Sequence, residues 1–390
     1  MYMFKEWRGF DLTKRCEKFY RALRHEPVTD PEQIPISIFM PMYPGGQVYA
    51  GLAYYEDPAV MLKYQEDGHF WHLSNVEDDT IPYFMPWFGT GVLASAFGCA
   101  VRMPTEDTLE FEPACVTHCL ESPKDVAHLK MPDPYKDGLM PTVLKFIDYA
   151  VAHSDLPVGL TDMNSVLSTV LQMTGYENFF LWCYDDPAAM HELVAMVTEA
   201  FIQWTKVQKE HIGEPLNASN GLQGVWGPEG VGVWQSDDDI VAMSPALYSE
   251  FIVPHYSRIY KTFGGGSLHW CGAAPNQSRC LLDIEGLTVW NNSTMRNFDA
   301  FSKTARNLYG KLAIQIQDGN DADQEEFMKN LFGALPGLDG LMFAGLIGDS
   351  KDPERRDIRD FARNNVRIIR EVAAMKLRGE LKEYEEKWSE

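Results

Sequence analysis

Eight short apolar segments, separated by longer stretches with helical periodicity, restrict this chain to few architectures. They are IPISIFM (34–40), YFMPWFG (83–89), PVGLTDM (157–163), GVGVWQS (230–236), GSLHWCG (266–272), LTVWNNS (287–293), LAIQIQD (312–318) and GLMFAGL (340–346). Each has the length of a strand, and a strand covered on both faces reads as a near-continuous apolar run. Between them, DDPAAMHELVAMVTEAFIQWTKVQKEHIG (185–213) opens on Asp-Asp-Pro and closes on Gly213, with apolar residues at helical spacing. SPALYSEFIVPHYSRIYKTFGGG (244–266) places Ser244 as N-cap, Pro245 at the first helical position and glycines past the end. Eightfold alternation of strand and helix predicts an α/β fold, a single (β/α)8 TIM barrel. No linker, low-complexity tract or short repeat divides the chain, so residues 1–390 read as one domain with the barrel core at about 33–375. An N-terminal extension precedes it, and VRMPTEDTLEFEPACVTHCLE (101–121) reads as a hairpin insertion outside the barrel.

Charge narrows the partners. Lys and Arg number 34 against 56 Asp and Glu, a formal charge of −22, which argues against nucleic acid and anionic membrane surfaces. The N-terminus, MYMFKEWRGFDLTKRC, carries charges where a signal peptide needs an apolar run, and no run approaches the roughly 20 residues of a membrane helix. Seven cysteines without a dense framework fit reduced thiols, so the expected setting is cytoplasmic.

Within GSLHWCG, Ser267, His269 and Cys271 share one strand face, because side chains alternate. Imidazole and thiolate together suit zinc, and a catalytic zinc keeps an open position beside three protein ligands.

The segments DDPAAMHELVAMVTEAFIQWTKVQKEHIG, DDDIVAMSPALYSEFIVPHYSRIY and LHWCG resemble the uroporphyrinogen decarboxylase superfamily in its corrinoid-dependent methyltransferase branch, from about Pro157 to Gly348. That resemblance implies a TIM barrel and a zinc ion held by His269, Cys271 and a distal cysteine. The zinc would activate a thiol that takes a methyl group from a methylated corrinoid, carried by a partner protein or bound as substrate. No cysteine follows Cys280, so the distal ligand is missing. Cys280 is the nearest substitute, and Asp162 and Asp318, at strand ends, offer oxygen instead. Asp162, Gln317 and Asp318 are the candidate catalytic residues.

Decarboxylases of this superfamily grip a polycarboxylate with arginines on an N-terminal loop, yet no Lys or Arg occurs from His25 to Leu62. Each unpaired buried carboxylate costs several kcal/mol, so uroporphyrinogen is a poor expected ligand. Tyr43, Tyr49, Tyr54 and Tyr55, with HFWH (69–72) and YFMPWF (83–88), instead suggest a pocket for a flat or apolar methyl donor or acceptor. His69 with His72, and Cys115 with His118 and Cys119, read as packing rather than metal sites. The alternatives to methyl transfer are a metal-free lyase and a degenerate barrel that binds a corrinoid or small ligand without turnover. The C-terminal amphipathic stretch from Asp352 is the last barrel helix and a surface available to a corrinoid protein, and a homo-oligomer is a further expected assembly.

Overall fold

Six of the eight apolar segments form one parallel sheet. In chain order they are β1 (Ile36–Phe39), β2 (Val233–Ser236), β3 (Gly266–Cys271), β4 (Leu287–Ser293), β5 (Ala313–Ile316) and β6 (Leu341–Leu346), hydrogen-bonded in the order β1-β6-β5-β4-β3-β2. The computed structural model describes residues 3–39, 51–105, 113–222, 225–318, 323–346 and 356–389, so Met40, Tyr43 and Tyr49 lie outside the described residues. Pairing of β1 with β6 brings the first and last segments of the chain together, as a barrel requires.

The expected eight-stranded closure is not formed as a continuous ladder among the described residues. The fold is mixed α/β with a six-stranded parallel sheet, and segments 83–89 and 157–163 share only an isolated parallel bridge, Phe84 to Val158, with a second from Asn164, just past the latter, to Ser236. Prolines explain the interruption: Pro82 and Pro86 flank Phe84 and have no N–H to give to a ladder. A few backbone bonds remain, from the Phe84 N–H to the Pro157 carbonyl at 2.7 Å and from the Gly159 N–H to the Phe84 carbonyl at 2.8 Å, and side chains satisfy the neighbouring groups. Gln65 accepts from the Met85 N–H and donates to the Met85 carbonyl at 2.7 Å each, while Gln208 accepts from the Thr161 N–H at 3.0 Å.

The helices follow their caps. Pro187–Ile212 begins after Asp186, which accepts from the Ala189 N–H, and ends at Gly213 in the left-handed region, φ 79°. The run after Ser244 is two helices rather than one, Pro245–Phe251 and Val253–Thr262. Pro254 has no N–H for the helical ladder and its ring crowds the preceding turn, so the chain kinks at Ile252. Outside the sheet, Val101–Arg102 and Ala114–Cys115 pair antiparallel, as the hairpin insertion requires, and Arg356–Leu377 supplies the last long helix.

The edge of β1 that faces the second segment is satisfied by carboxylates. Asp79 accepts from the Ile36 N–H at 3.0 Å and Asp78 from the Ile38 N–H at 2.8 Å. His72 bonds Asp78 at 2.9 Å, so HFWH serves packing. Burial pushes the Asp78 carboxyl up, but His72, Arg15 and the Ile38 N–H together hold it below its ordinary 3.8. A depressed carboxyl contributes stability above its unfolded value and loses it as pH falls through the folded one. Asp78→Asn is therefore expected to destabilise the protein at pH 7 by more than at pH 3. Urea unfolding of both proteins across that range checks this, and a deficit that grows on acidification would contradict it.

Candidate metal centre

His269 is fixed from three sides before any ligand is considered. It stands opposite Ser236 of β2 and Asn291 of β4 in the sheet register. Its Nδ1 bonds Asn291 Oδ1, and its ring stacks on Trp234 at 5.5 Å between centroids, 21° apart. A carbonyl oxygen only accepts, so Nδ1 carries the proton and the Nε2 lone pair is left on the side of Cys271 and Asp238. Burial lowers the imidazole pKa against the opposing pull of Asp238 and Asn291, which keeps the ring neutral and able to ligate.

Cys271 lies two residues on, on the same face, at the exposed end of β3. Its Sγ is 3.4 Å from His269 Nε2, and its N–H donates to Asp238 Oδ1 at 2.6 Å. Asp238 Oδ1 is in turn 3.7 Å from His269 Nε2, with the side chain 54% exposed. One ligand atom from each of Asp238, His269 and Cys271 lies within 4.8 Å of the others, the only such group of three found among the described residues. A tetrahedral zinc with bonds of about 2.1 Å to nitrogen and 2.3 Å to sulfur separates those donors by about 3.5 Å. The 3.4 and 3.7 Å spacings from His269 Nε2 to Cys271 Sγ and Asp238 Oδ1 fit that geometry, the sulfur and the Asp238 oxygen lie within 4.8 Å of each other, and the N, S and O donors are the types zinc takes.

Electrostatics point the same way. Desolvation, then the Asp238 carboxylate and more weakly Asp318, pushes the Cys271 thiol up to about 12. A divalent cation reverses that balance, because it offsets the carboxylates and draws the proton off sulfur. Among the described residues, His269 is the one ion-pair partner of Asp238, so no Lys or Arg already fills the place of the cation.

The turn that presents Asp238 is held by its neighbour. Asp237 is fully buried, accepts from Ser165 Oγ at 2.7 Å and Tyr248 OH at 2.8 Å, and donates its N–H to the His269 carbonyl at 2.7 Å. Burial raises its carboxyl to about 7. On the other side, Thr294 N–H and Ser293 Oγ hold both oxygens of Asp318, at 2.6 and 3.0 Å. Met295 and Arg296 follow Thr294 with positive φ of 48° and 62°, a strained pair next to the residue that holds Asp318.

The sequence-derived candidates separate accordingly. His269 and Cys271 come together, and Asp318 lies close enough to influence the Cys271 thiol. Gln317 donates its N–H to the Asn292 carbonyl at 2.8 Å, and its buried Oε1 has no hydrogen-bond partner among the described residues. Asp162 is buried next to Met163, which meets Gln208 of the helix behind at 3.4 Å, and it is not among the residues gathered with His269 and Cys271. Cys280 does not join the cluster: it opens the short helix Cys280–Asp283 and its Sγ meets Ser249 Oγ at 3.4 Å and the Pro245 carbonyl at 3.7 Å. Asp238 is the residue that sequence reasoning missed. Its signal was an acidic run, DDD (237–239), directly after a strand, where barrel chemistry gathers.

Comparison with known proteins agrees with the fold. A solved methyltransferase from Methanosarcina mazei superposes with a TM-score of 0.60 over 90% of this chain and 98% of its own, at 17% sequence identity, a level at which the fold is what is shared. No curated protein matches the chain. No helix among the described residues is long and apolar enough to cross a membrane. The uroporphyrinogen decarboxylase family model matches residues 17–224, more than half of the sequence, and stops before β3, so it speaks for the scaffold rather than for His269 and Cys271; on that match the chain belongs to the uroporphyrinogen decarboxylase family.

Proposed function

We propose that this protein is a zinc-assisted methyltransferase that moves a methyl group from a methylated corrinoid to a small thiol. The observation that carries the reading is the convergence of His269 Nε2, Cys271 Sγ and an Asp238 oxygen at the C-terminal end of neighbouring strands. The six-stranded sheet and its two bridged segments are taken as one (β/α)8 frame, whose C-terminal mouth is where such folds place chemistry. A zinc ion held there supplies Lewis acidity that depresses the pKa of an incoming thiol, so that thiolate is available near neutral pH. Asn291 and Trp234 orient the imidazole, Asp237 fixes the turn that carries Asp238, and the buried Gln317 Oε1 offers an acceptor to a donor group on the substrate. The buried Tyr54 and Tyr55 of the aromatic stretch favour an apolar group over a polyanion.

The absence of any cysteine after Cys280 favours one second reading, a barrel that binds its ligand without turnover. Zinc-loaded protein incubated with methylcobalamin and a panel of small thiols separates the two. Loss of methyl–cobalt absorbance together with formation of the thioether, abolished in Cys271→Ser, is the result expected of a methyltransferase. Saturable corrinoid binding with no thioether from any thiol would replace that reading with the second.

A further inference from the structure

Three of the seven cysteines meet on the hairpin insertion rather than on the sheet. Val101 stands opposite Cys115 in the antiparallel register, which two residues further on sets Cys99 opposite Thr117. The bonds beyond the ladder agree: the Val116 N–H reaches the Ala100 carbonyl at 2.9 Å and the Ala100 N–H reaches Thr117 Oγ1 at 2.9 Å. Cys115 and Cys119 are then the two diagonal neighbours of Cys99 on one face, within reach of its side chain. A Cβ built on Gly98, the residue before Cys99, would lie 3.9 Å from Cys119 Cβ, which keeps the two cysteines close.

Their surroundings differ in a useful way. Cys99 is buried, whereas Cys115 and Cys119 are partly exposed. Cys99 Sγ is 3.7 Å from the Gln172 carbonyl, and the Cys119 N–H donates to the Met173 carbonyl at 3.0 Å. Both are thus seated on consecutive carbonyls in the last turn of helix Val166–Thr174. Cys115 Sγ occupies space left by Gly91, where a Cβ would approach it to 2.9 Å.

We propose that Cys99, Cys115 and Cys119 form a thiol–disulfide exchange site, in which a partly exposed thiol captures a low-molecular-weight disulfide and Cys99 closes an intrachain bond. In the first step a thiolate at Cys115 or Cys119 attacks one sulfur of the small disulfide; a protein–small-molecule disulfide forms and one small thiolate leaves. In the second, the Cys99 sulfur, its proton passing to solvent, attacks the protein sulfur of that mixed disulfide and expels the second small thiolate. Two protein thiols are oxidised and one small disulfide is reduced to two thiols, so atoms and electrons balance. Cys99 holds the Cys115 and Cys119 thiols below their ordinary value, while they and burial raise Cys99 itself, so the partly exposed thiols attack first and Cys99 acts second. The site is separate from methyl transfer and stands whether or not that reading holds.

The test uses the full chain with glutathione disulfide, followed by alkylation, non-reducing digestion and mass spectrometry. The expected product links Cys99 to Cys115 or Cys119, removes two titratable thiols per chain and reverts with dithiothreitol. In Cys99→Ala the reaction is expected to stop at a mixed disulfide on Cys115 or Cys119. If that variant does not fold, the Cys115→Ser/Cys119→Ser double variant is expected to form no intrachain bond. Wild-type protein that yields only mixed disulfides, a disulfide lacking Cys99, only links between chains, or no thiol loss would overturn the proposal.

Discussion

His269→Ala is expected to empty the metal centre: wild-type protein purified from zinc-replete cells without chelator should carry about one zinc per chain, and the variant almost none. The imidazole is the ligand most completely prepared, neutral by burial and aimed by Asn291 and Trp234. Without it, Cys271 and Asp238 remain, both at the exposed rim. Loss of a partner that only orients a ligand weakens metal binding by about 10–100-fold, and loss of the ligand itself should exceed that. Asp238→Asn keeps an oxygen and removes its charge, so a smaller but clear loss is expected. Cys280→Ser should retain the metal, because its sulfur is turned to Ser249 and the Pro245 carbonyl. Metal analysis, followed by titration against a competing chelator, decides the order. Zinc-free wild-type protein, or a loss confined to Cys280→Ser, would remove Asp238, His269 and Cys271 as the centre.

The outcome at Asp238 shows what a sequence can and cannot carry about such a site. His269 and Cys271 were legible because strand alternation alone puts residues two apart on one face. Asp238 reaches the same point from another strand through a turn, and what brings it there is tertiary: Asp237 buried against Ser165 and Tyr248, and the Cys271 N–H donating to Asp238 itself. An acidic run after a strand reads equally well as a helix start, and local spacing does not separate the two. The same limit governs the scaffold. The six segments that became strands have unbroken backbone donors through their paired residues, whereas YFMPWFG is interrupted by Pro86 and its neighbours bond to side chains from helices. Gln65 and Gln208 satisfy the backbone groups at Met85 and Thr161 that no strand reaches, and nothing in the local pattern marks a glutamine on a helix as a partner for a distant segment. Helix caps were read correctly where one residue decides, at Ser244 and Gly213, and the kink at Pro254 was missed because the apolar period continues through it.

Lys209→Met is expected to lower stability by about 3–5 kcal/mol, the effect of removing one partner from a buried ion pair. Lys209 and Glu214 meet at 2.7 Å with side chains 1% and 0% exposed. The ammonium also donates to the Ala218 and Pro215 carbonyls at 2.8 and 3.3 Å, and Glu214 accepts from the Asn220 N–H at 2.8 Å and from Ser219 Oγ. All of these groups lie where the helix Pro187–Ile212 hands the chain to the segment before β2. Burial alone lowers the Lys209 pKa and raises that of Glu214, so each charge persists because the other is present. Take the ammonium away and the carboxylate must stay buried and unpaired, or bind a proton. Two consequences follow from that choice. Adding Glu214→Gln to Lys209→Met should recover part of the loss, since the amide still accepts from Asn220 without a charge to desolvate. The deficit of the single variant should also shrink as pH falls, because a lone carboxyl raised by burial is neutralised first. Urea unfolding of the wild type, both singles and the double variant at pH 7.5 and pH 5 gives the cycle directly. A double variant less stable than Lys209→Met, or a deficit independent of pH, would mean that packing of the lysine stem rather than the charge of Glu214 sets the loss.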